Sequence, residues 1–243
     1  TKGAVDNFSW VLKQATGKYI ALCEGDDYWI NPNKLKKQVE LLENNPNCSL
    51  CFTARKNIDE MGNLVGISRY NSKQRWSSKD VLDGGFIAPL QTIVSKNLTT
   101  GFEEFCSNYP NRTGADRVYS FYYGTMGDMI YLDEITSVYR IHSGGIWSRL
   151  SEKEKLDAHF KQHFLFLEKI SKNHTELKIL KRNTYRRKVG DLYFVFFKKP
   201  KETMSLILQI LKRNDCDNLS FLLAGFDLLK YYFSVIKMKF KKH

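Results

Sequence analysis

Three carboxylates, those of Glu24, Asp26 and Asp27, lie within four residues directly after a short apolar run. Acids this close together repel one another, and a divalent cation removes the repulsion when it binds between them. Hard oxygen ligands favour magnesium or manganese, and such a cation can bridge the oxygens of a diphosphate and stabilise charge on a leaving group. The sequence leaves one alternative open, a solvated acidic turn in which Asp27 or Asn31 caps the following helix.

The acidic cluster lies in a pattern of alternating helices and strands. Residues 3–16 carry apolar side chains at helical spacing, and 18–23 form an apolar run typical of a buried strand. A second helix is predicted after Asn31, followed by a strand over 49–53. The inner stripe of that second helix is predicted to be Leu35, Val39 and Leu42. This order predicts an α/β domain with a mostly parallel sheet and helices on both faces, and ligands bind such sheets beyond the carboxyl ends of their strands.

Shorter elements are predicted farther along the chain. We expect a short helix from Ser78, a strand within 86–95, a helix over 115–123 and two short strands within 128–142. Turn-forming residues separate these segments, so each should be a distinct element.

The pattern changes after Trp147 to long helical segments rich in Lys, Leu and Phe. Strand-like alternation is missing from this part of the sequence. We therefore predict a domain boundary near residue 150, with an α/β domain at 1–150 and a basic, all-helical extension at 151–243.

The segment Gly17-Lys18-Tyr19-Ile20-Ala21-Leu22-Cys23-Glu24-Gly25-Asp26-Asp27-Tyr28-Trp29 resembles the acidic-motif region of family 2 inverting glycosyltransferases, which have the GT-A fold. The resemblance extends to the preceding helix and to the Pro-Asn-Lys-Leu-Lys-Lys-Gln segment that follows. It implies that Asp26 and Asp27 hold a metal ion, Mn²⁺ or Mg²⁺, and the donor diphosphate. Glu24 takes the position of the first Asp of the motif and is implied to bind the donor, although its side chain is one methylene longer.

The segment Tyr139-Arg140-Ile141-His142-Ser143-Gly144-Gly145-Ile146-Trp147-Ser148 is similar to the closing motif of bacterial members of the same family. The resemblance assigns His142 to the metal or the phosphate and Arg140 to the donor phosphate. A neutral imidazole ligates cations, and a guanidinium pairs with phosphate oxygens in a fork. The alternative for His142 is a core histidine that bonds to the backbone.

Asp116 begins a predicted helix in Thr113-Gly114-Ala115-Asp116-Arg117, about two dozen residues before His142. Similar enzymes carry at this position the carboxylate that takes a proton from the acceptor hydroxyl, so Asp116 is the candidate catalytic base. An acid that only stabilises the helix N-terminus is the alternative, and the two roles are compatible. Asp128 is the rival candidate.

The resemblance covers residues 1–148, and it implies two nucleotide-binding strands that do not precede Thr1. We therefore expect the sequence to be the later part of a longer enzyme that binds metal and donor weakly on its own.

The chain of 243 residues has a formal net charge of +12 and a sequence pI near 9.4. Basic residues are concentrated within 181–199 and at the end of the chain. A charge of this sign suits nucleic acid, an anionic membrane or a phosphorylated substrate. Because no nucleic-acid-binding motif is present, we do not expect nucleic acid as a partner.

A helix predicted over 219–238 has a wide apolar surface and a narrow polar face, and four lysines lie within 237–242. This pattern is typical of a helix that lies on an anionic membrane, with a helix packed on the protein core as the alternative. The sequence has no apolar run long enough to span a bilayer. We expect a cytoplasmic protein, peripheral on the inner face of the membrane.

Five cysteines, an odd number scattered through apolar segments, fit a reducing compartment. Cys48 and Cys51 lack a second pair or a nearby His, so we predict two buried thiols on a strand and no zinc site.

Together these features predict transfer of a hexose-type sugar from a nucleoside-diphosphate sugar, a UDP-sugar first, to an acceptor hydroxyl. The acceptor is expected to be a saccharide or a lipid-linked saccharide in surface polysaccharide or glycolipid synthesis. A non-catalytic scaffold or sugar-binding module of the same fold is the alternative, and a metal-dependent nucleotidyltransferase is a further one.

Overall fold

A computed structural model of the chain describes residues 4–70, 73–84, 87–107, 114–145, 147–173 and 175–185, together with Ser205. The described helices are α1 (Ala4–Lys13), α2 (Lys34–Glu43), α3 (Ser78–Gly84), α4 (Phe102–Ser107), α5 (Ala115–Met126) and α6 (Glu152–Ile170), and 175–185 is also helical. The strands are β1 (Tyr19–Ala21), β2 (Tyr28–Trp29), β3 (Cys48–Ile58), β4 (Leu64–Ser68), β5 (Arg75–Trp76), β6 (Val94–Lys96) and β7 (Asp128–Arg140). The predicted α/β class is confirmed.

The strands form one mixed sheet in the order β1-β6-β3-β7-β2, with β4 paired to β3 and β5 paired to β7. Among the described strands only β3 and β7 pair in parallel, so the expected mostly parallel sheet is wrong. The short strands β6 and β2 run opposite to their neighbours. Because β6 is antiparallel to both β1 and β3, the three strands β1, β3 and β7 still point the same way, and their carboxyl ends lie at one edge.

Strand β3 lies at the centre of the sheet, and its first seven residues, Cys48 to Ala54, are buried. Such an uninterrupted buried segment is typical of a strand covered on both faces, and it includes the polar residues Ser49 and Thr53. Cys48 and Cys51 pack with Leu42, Val94 and Ile130 in one apolar cluster. The two cysteines are buried free thiols, as predicted.

Helix α2 differs from its predicted stripe because Leu35 is 43% exposed, whereas Lys34 and Gln38 are buried with Leu42. The Lys34 ammonium donates to Gln38 Oε1 at 2.7 Å, and the Gln38 amide donates to the carbonyls of Cys51 and Thr92. These hydrogen bonds satisfy the polar groups that the helix turns inward.

Two predicted strand segments are also corrected. Within 87–95 most residues are not in a strand: Leu90–Thr92 is a single 3₁₀ turn after Pro89, and only β6 pairs. The two strands expected within 128–142 are one strand, β7. Its register against β3 shifts between Leu132 and Ile135, so the polar residues Asp133 and Glu134 lie at an irregularity and do not end the strand.

The chain divides into two compact units, Thr1–Phe166 and Leu167–His243. The boundary near 150 remains a prediction, and the helix predicted over 219–238 lies outside the described residues. Within the part of the chain that the structure describes, no helix has both the length and the apolar character needed to cross a bilayer.

Candidate functional site

The acidic turn follows β1 at the edge where the parallel-pointing strands end. Asp27 is only 9% exposed, and its Oδ1 accepts a hydrogen bond from the backbone N–H of Arg140 at 2.9 Å. Its Oδ2 is buried and has no hydrogen-bond partner among the described residues. A buried carboxylate oxygen without a partner is costly, so this atom fits a site that a cation completes.

His142 lies beside the same turn, although it is far away in the sequence. Its Nε2 is 2.9 Å from Asp26 Oδ2, and both side chains are partly exposed. The end of β7 therefore brings His142 and Arg140 to the two acids with which the sequence analysis grouped them. This contact distinguishes His142 from a histidine bonded only to backbone.

The loop that carries His142 is fastened to the turn between β3 and β4. Ser143 N–H donates to the Glu60 carboxylate, and Ile141 N–H donates to Ile58 O at 2.8 Å. Gly144 packs against the imidazole, since a Cβ there would lie 3.0 Å from His142 Nδ1. These contacts fix the position of the ring beside Asp26.

Asp116 lies in the first turn of α5, and its Oδ1 accepts the N–H of Arg117 at 2.8 Å. Gly114 caps this helix with φ +82°, a left-handed conformation that favours glycine. Burial raises the pKa of Glu24 most, and the negative charge of Asp116 is the next cause, so the two carboxylates are near enough to interact electrostatically. The predicted base therefore interacts with an acid that was predicted to bind the donor, and its role as base remains a prediction.

Asp128 is far from that site. It starts β7 and pairs with Arg75 at 3.5 Å, whereas Arg140 ends the same strand. At about 3.3 Å per residue the two ends of β7 are roughly 40 Å apart. The structure therefore separates the rival candidate from the acidic turn.

Glu24 is the acid of the site whose pKa is shifted most strongly from its ordinary value. Desolvation by the surrounding protein and then the charges of Asp116 and Asp27 together raise its pKa to about 7, although the side chain still reaches solvent. The neighbouring Cys23 is an exposed free thiol whose pKa is raised by partial burial and then by the charge of Asp27. The turn therefore holds more negative charge than the protein neutralises.

Arg55 and Tyr139 were missed by the sequence analysis. The Arg55 guanidinium carbon lies 4.2 Å from the centre of the Tyr139 ring, and its charge lowers the pKa of Glu24 and Asp27. The apolar run that predicted β3 stops at Thr53, so nothing in it indicated that the strand continues to Arg55. The parallel pairing of β3 with β7 could have identified Arg55, because it carries β3 to the same end of the sheet as Tyr139 and Arg140.

Within the described residues, no group of three or more His, Cys, Asp or Glu side chains is placed to hold a metal ion by itself. Magnesium and manganese sites that also bind phosphate commonly use one or two carboxylates and complete their shell with water and phosphate oxygens. The Asp27 Oδ2 atom and the Asp26–His142 pair fit such a partial shell.

Comparisons with known proteins agree with this geometry. Residues 1–99 match the sequence family described as glycosyl transferase family 2. The chain is 33% identical over 145 residues to the uncharacterized proteins Mb1547 of Mycobacterium bovis and Rv1520 of Mycobacterium tuberculosis. That match covers 60% of this chain and 41% of each relative, so the chain spans about two fifths of their length.

Among solved structures, the chain is similar to S. aureus TarS residues 1–349 in complex with UDP-GlcNAc. The TM-score is 0.53 at 14% identity, over 85% of this chain and 59% of the TarS chain. This likeness establishes a GT-A-like fold.

Proposed function

We propose that this chain belongs to an enzyme that transfers a sugar from a nucleoside-diphosphate sugar to an acceptor hydroxyl. Its residues 1–99 match glycosyl transferase family 2, and its fold is GT-A-like. The observation that carries the proposal is the return of β7 to the acidic turn. It sets His142 against Asp26 and the Arg140 N–H against Asp27, and it leaves one buried oxygen of Asp27 without a partner among the residues that the structure describes.

Asp26, Asp27 and His142 would hold a divalent cation, Mn²⁺ or Mg²⁺, which offsets charge on the diphosphate leaving group when it is bound. Arg140 and Glu24 would complete the donor site. The Arg140 guanidinium would pair with phosphate oxygens, and the Glu24 side chain would contact the donor beside them.

Asp116 is proposed as the catalytic base of an inverting transfer. The acceptor oxygen attacks the anomeric carbon from the side opposite the leaving group, and its proton passes to the Asp116 carboxylate. The bond from the anomeric carbon to the donor phosphate breaks with its electron pair on the departing nucleoside diphosphate.

A UDP-sugar is the first donor to test, because the similar TarS structure contains UDP-GlcNAc. A saccharide or lipid-linked acceptor, within surface polysaccharide or glycolipid synthesis, is proposed from the basic, apolar segment at 219–242. That segment would hold a cytoplasmic enzyme on the inner face of the membrane.

Calorimetric binding of a UDP-sugar panel with and without Mn²⁺ tests the proposal. The chain is compared with Asp26→Ala, with Asp116→Asn and with a version extended upstream if the gene encodes one. We expect binding that requires both the cation and Asp26. Asp116→Asn should bind as the wild type does but lose about 10²-fold to 10⁴-fold in turnover of the active form.

The alternative is a non-catalytic scaffold or sugar-binding module of the same fold. Sugar binding that ignores Mn²⁺ and survives Asp26→Ala would support this alternative and reject the transferase. Retained turnover in Asp116→Asn would reject only the assignment of the base.

A further inference from the structure

Arg55 lies where the carboxyl end of β3 meets that of β7. It is opposite Ser137 in the β3–β7 register, and Asn57 is opposite Tyr139. Residues two apart on a strand share a face, so Arg55 and Tyr139 are diagonal neighbours on one face of the sheet. The stacked guanidinium is therefore held in a fixed plane by the ring of Tyr139.

The guanidinium has no hydrogen-bond or ion-pair partner within the described part of the chain, although two carboxylates, those of Glu24 and Asp27, are near enough to interact with its charge. Its Nε is buried without an acceptor, and its charge nevertheless acts on both Glu24 and Asp27. An arginine this close to acids normally forms a bidentate pair with one of them. The tyrosine stack instead leaves the donors of Arg55 available.

Two neighbours of Arg55 each carry one buried polar atom without a partner among the described residues, although the Asn57 amide also donates to Ser68 Oγ at 3.0 Å. These atoms are the fully buried hydroxyl oxygen of Ser137 and the buried Oδ1 of Asn57. Folded proteins rarely leave several buried polar groups unpaired in one place. The concentration of such groups beside Arg55 and Asp27 indicates that this end of the β3–β7 pair is built around a polar ligand.

An anion fits Arg55, because guanidinium N–H groups form a planar fork that matches phosphate oxygens and have no acceptor atom. A cation bound by Asp26 and Asp27 would neutralise these carboxylates, which are the first anionic groups of the site. The positive charge of Arg55 would then be available to bind a second anionic group. In glycosyl transfer that group is the diphosphate.

We propose that Arg55 binds the diphosphate of the donor, through the fork that Tyr139 holds open beside the acidic turn. This inference rests on the proposed function and adds a donor-binding residue to it. The role differs from that of a structural ion pair, since no protein carboxylate within the described residues takes the guanidinium.

The test uses the full chain and two probes, inorganic pyrophosphate and UDP, each titrated with saturating Mn²⁺, and Mn²⁺ titrated alone. Arg55→Met should weaken both pyrophosphate and UDP about tenfold or more, because charge-assisted hydrogen bonds to phosphate are lost. Mn²⁺ alone should bind at least as tightly as to the wild type, since a repelling charge has gone. Arg55→Lys should recover part of the loss, because it keeps the charge and loses the fork.

Lys56→Met is the matched control, since it removes the same charge from the next residue of β3, which the strand alternation turns to the other face. Unchanged pyrophosphate and UDP affinity in Arg55→Met would overturn the inference, as would a loss confined to pyrophosphate, which would indicate a phosphate other than the donor's. Equal loss of Mn²⁺ and pyrophosphate binding in both Arg55 variants would show a merely structural role. If neither the wild type nor its upstream-extended form binds either probe with Mn²⁺, the proposed function itself fails.

Discussion

Glu24 ties the stability of the metal-free protein to pH. Its pKa is raised from 4.5 to about 7, first by burial and then by the charge of Asp116. Because the folded state holds the proton more tightly than the unfolded state, the stabilisation is complete below about pH 4.5 and is lost as the pH rises through about 7. Glutamine does not titrate, so Glu24→Gln should become more stable relative to the wild type as the pH rises.

Thermal unfolding in EDTA at several pH values between about 4.5 and about 8 measures this difference. Glu40→Gln, at an exposed position on α2, is the control and should show a constant offset. A constant offset for Glu24→Gln as well would mean that Glu24 is ionised throughout this range.

Gly144 controls the position of the His142 ring. A Cβ at this position would lie 3.0 Å from His142 Nδ1 and 3.2 Å from Cε1, so Gly144→Ala must displace the imidazole. Groups that orient a metal ligand typically change metal affinity by about 10-fold to 100-fold, and we expect Mn²⁺ affinity to fall by about tenfold. Calorimetry with Gly25→Ala as the control checks this, because a Cβ at Gly25 meets nothing within 4 Å. Equal affinity in both variants would remove His142 from the metal site.

At the scale of elements, α3 and α5 pack closely through Gly124. A Cβ there would lie 2.9 Å from Val81 Cγ1 and within 3.1 Å of two further Val81 carbons. Alanine usually stabilises a helix interior by about 0.5–1 kcal/mol relative to glycine, but overpacking costs about 1–3 kcal/mol. The overpacking should dominate, so Gly124→Ala should lower the free energy of unfolding by about 1 kcal/mol or more.

Urea unfolding of Gly124→Ala, Val81→Ala and the double variant measures the coupling. Val81→Ala removes the methyl groups that collide with the new Cβ, so the double variant should be more stable than the sum of the two single effects predicts. Additive effects would show that α3 and α5 move apart to accommodate the new Cβ without a loss in the free energy of unfolding.

The elements also show which features the sequence could predict. The short apolar run of β1, the acids after it and the helix that begins near Asp116 follow from local patterns, and each is present in the structure. The mixed sheet does not follow, because the direction of β6 depends on contacts with β1 and β3. The burial of Lys34 could not be predicted from the sequence pattern for the same reason, because it depends on contacts with Trp29 and Gln38. Lys34 Nζ lies 4.8 Å from the centre of the Trp29 ring and donates to Gln38.

The candidate site, too, could be predicted only in part from the sequence. Resemblance grouped His142 with Asp26, and the structure brings the two together. Arg55 reaches the site only because β3 is eleven residues long and runs beside β7, which is a property of the folded sheet. Pairing across strands carries information that spacing along the chain does not.

At the scale of the whole molecule, we expect the net charge of +12 to favour binding of the chain to an anionic membrane. Each lysine near such a surface contributes about 1 kcal/mol. Replacing Lys237, Lys239, Lys241 and Lys242 with glutamine should therefore weaken co-sedimentation with phosphatidylglycerol-containing vesicles by about 100-fold or more. Replacing the exposed Lys13, Lys18, Lys36 and Lys79 in the same way is the control of equal charge. Equal losses in both variants would show that membrane binding depends on the total positive charge and not on the segment 237–242.

The exposed Cys23 thiol gives this protein a built-in chemical reporter of its own site. Its pKa is raised by partial burial and then by the charges of Asp27, Glu24 and Asp26, and the other described cysteines are buried. A cation that neutralises those carboxylates should release more thiolate at a given pH, and the thiolate is the form that alkylating reagents attack. The rate of Cys23 modification by N-ethylmaleimide should then rise when Mn²⁺ binds and fall when a nucleotide covers the turn, so mass spectrometry of the unlabelled wild-type chain could follow occupancy of the site.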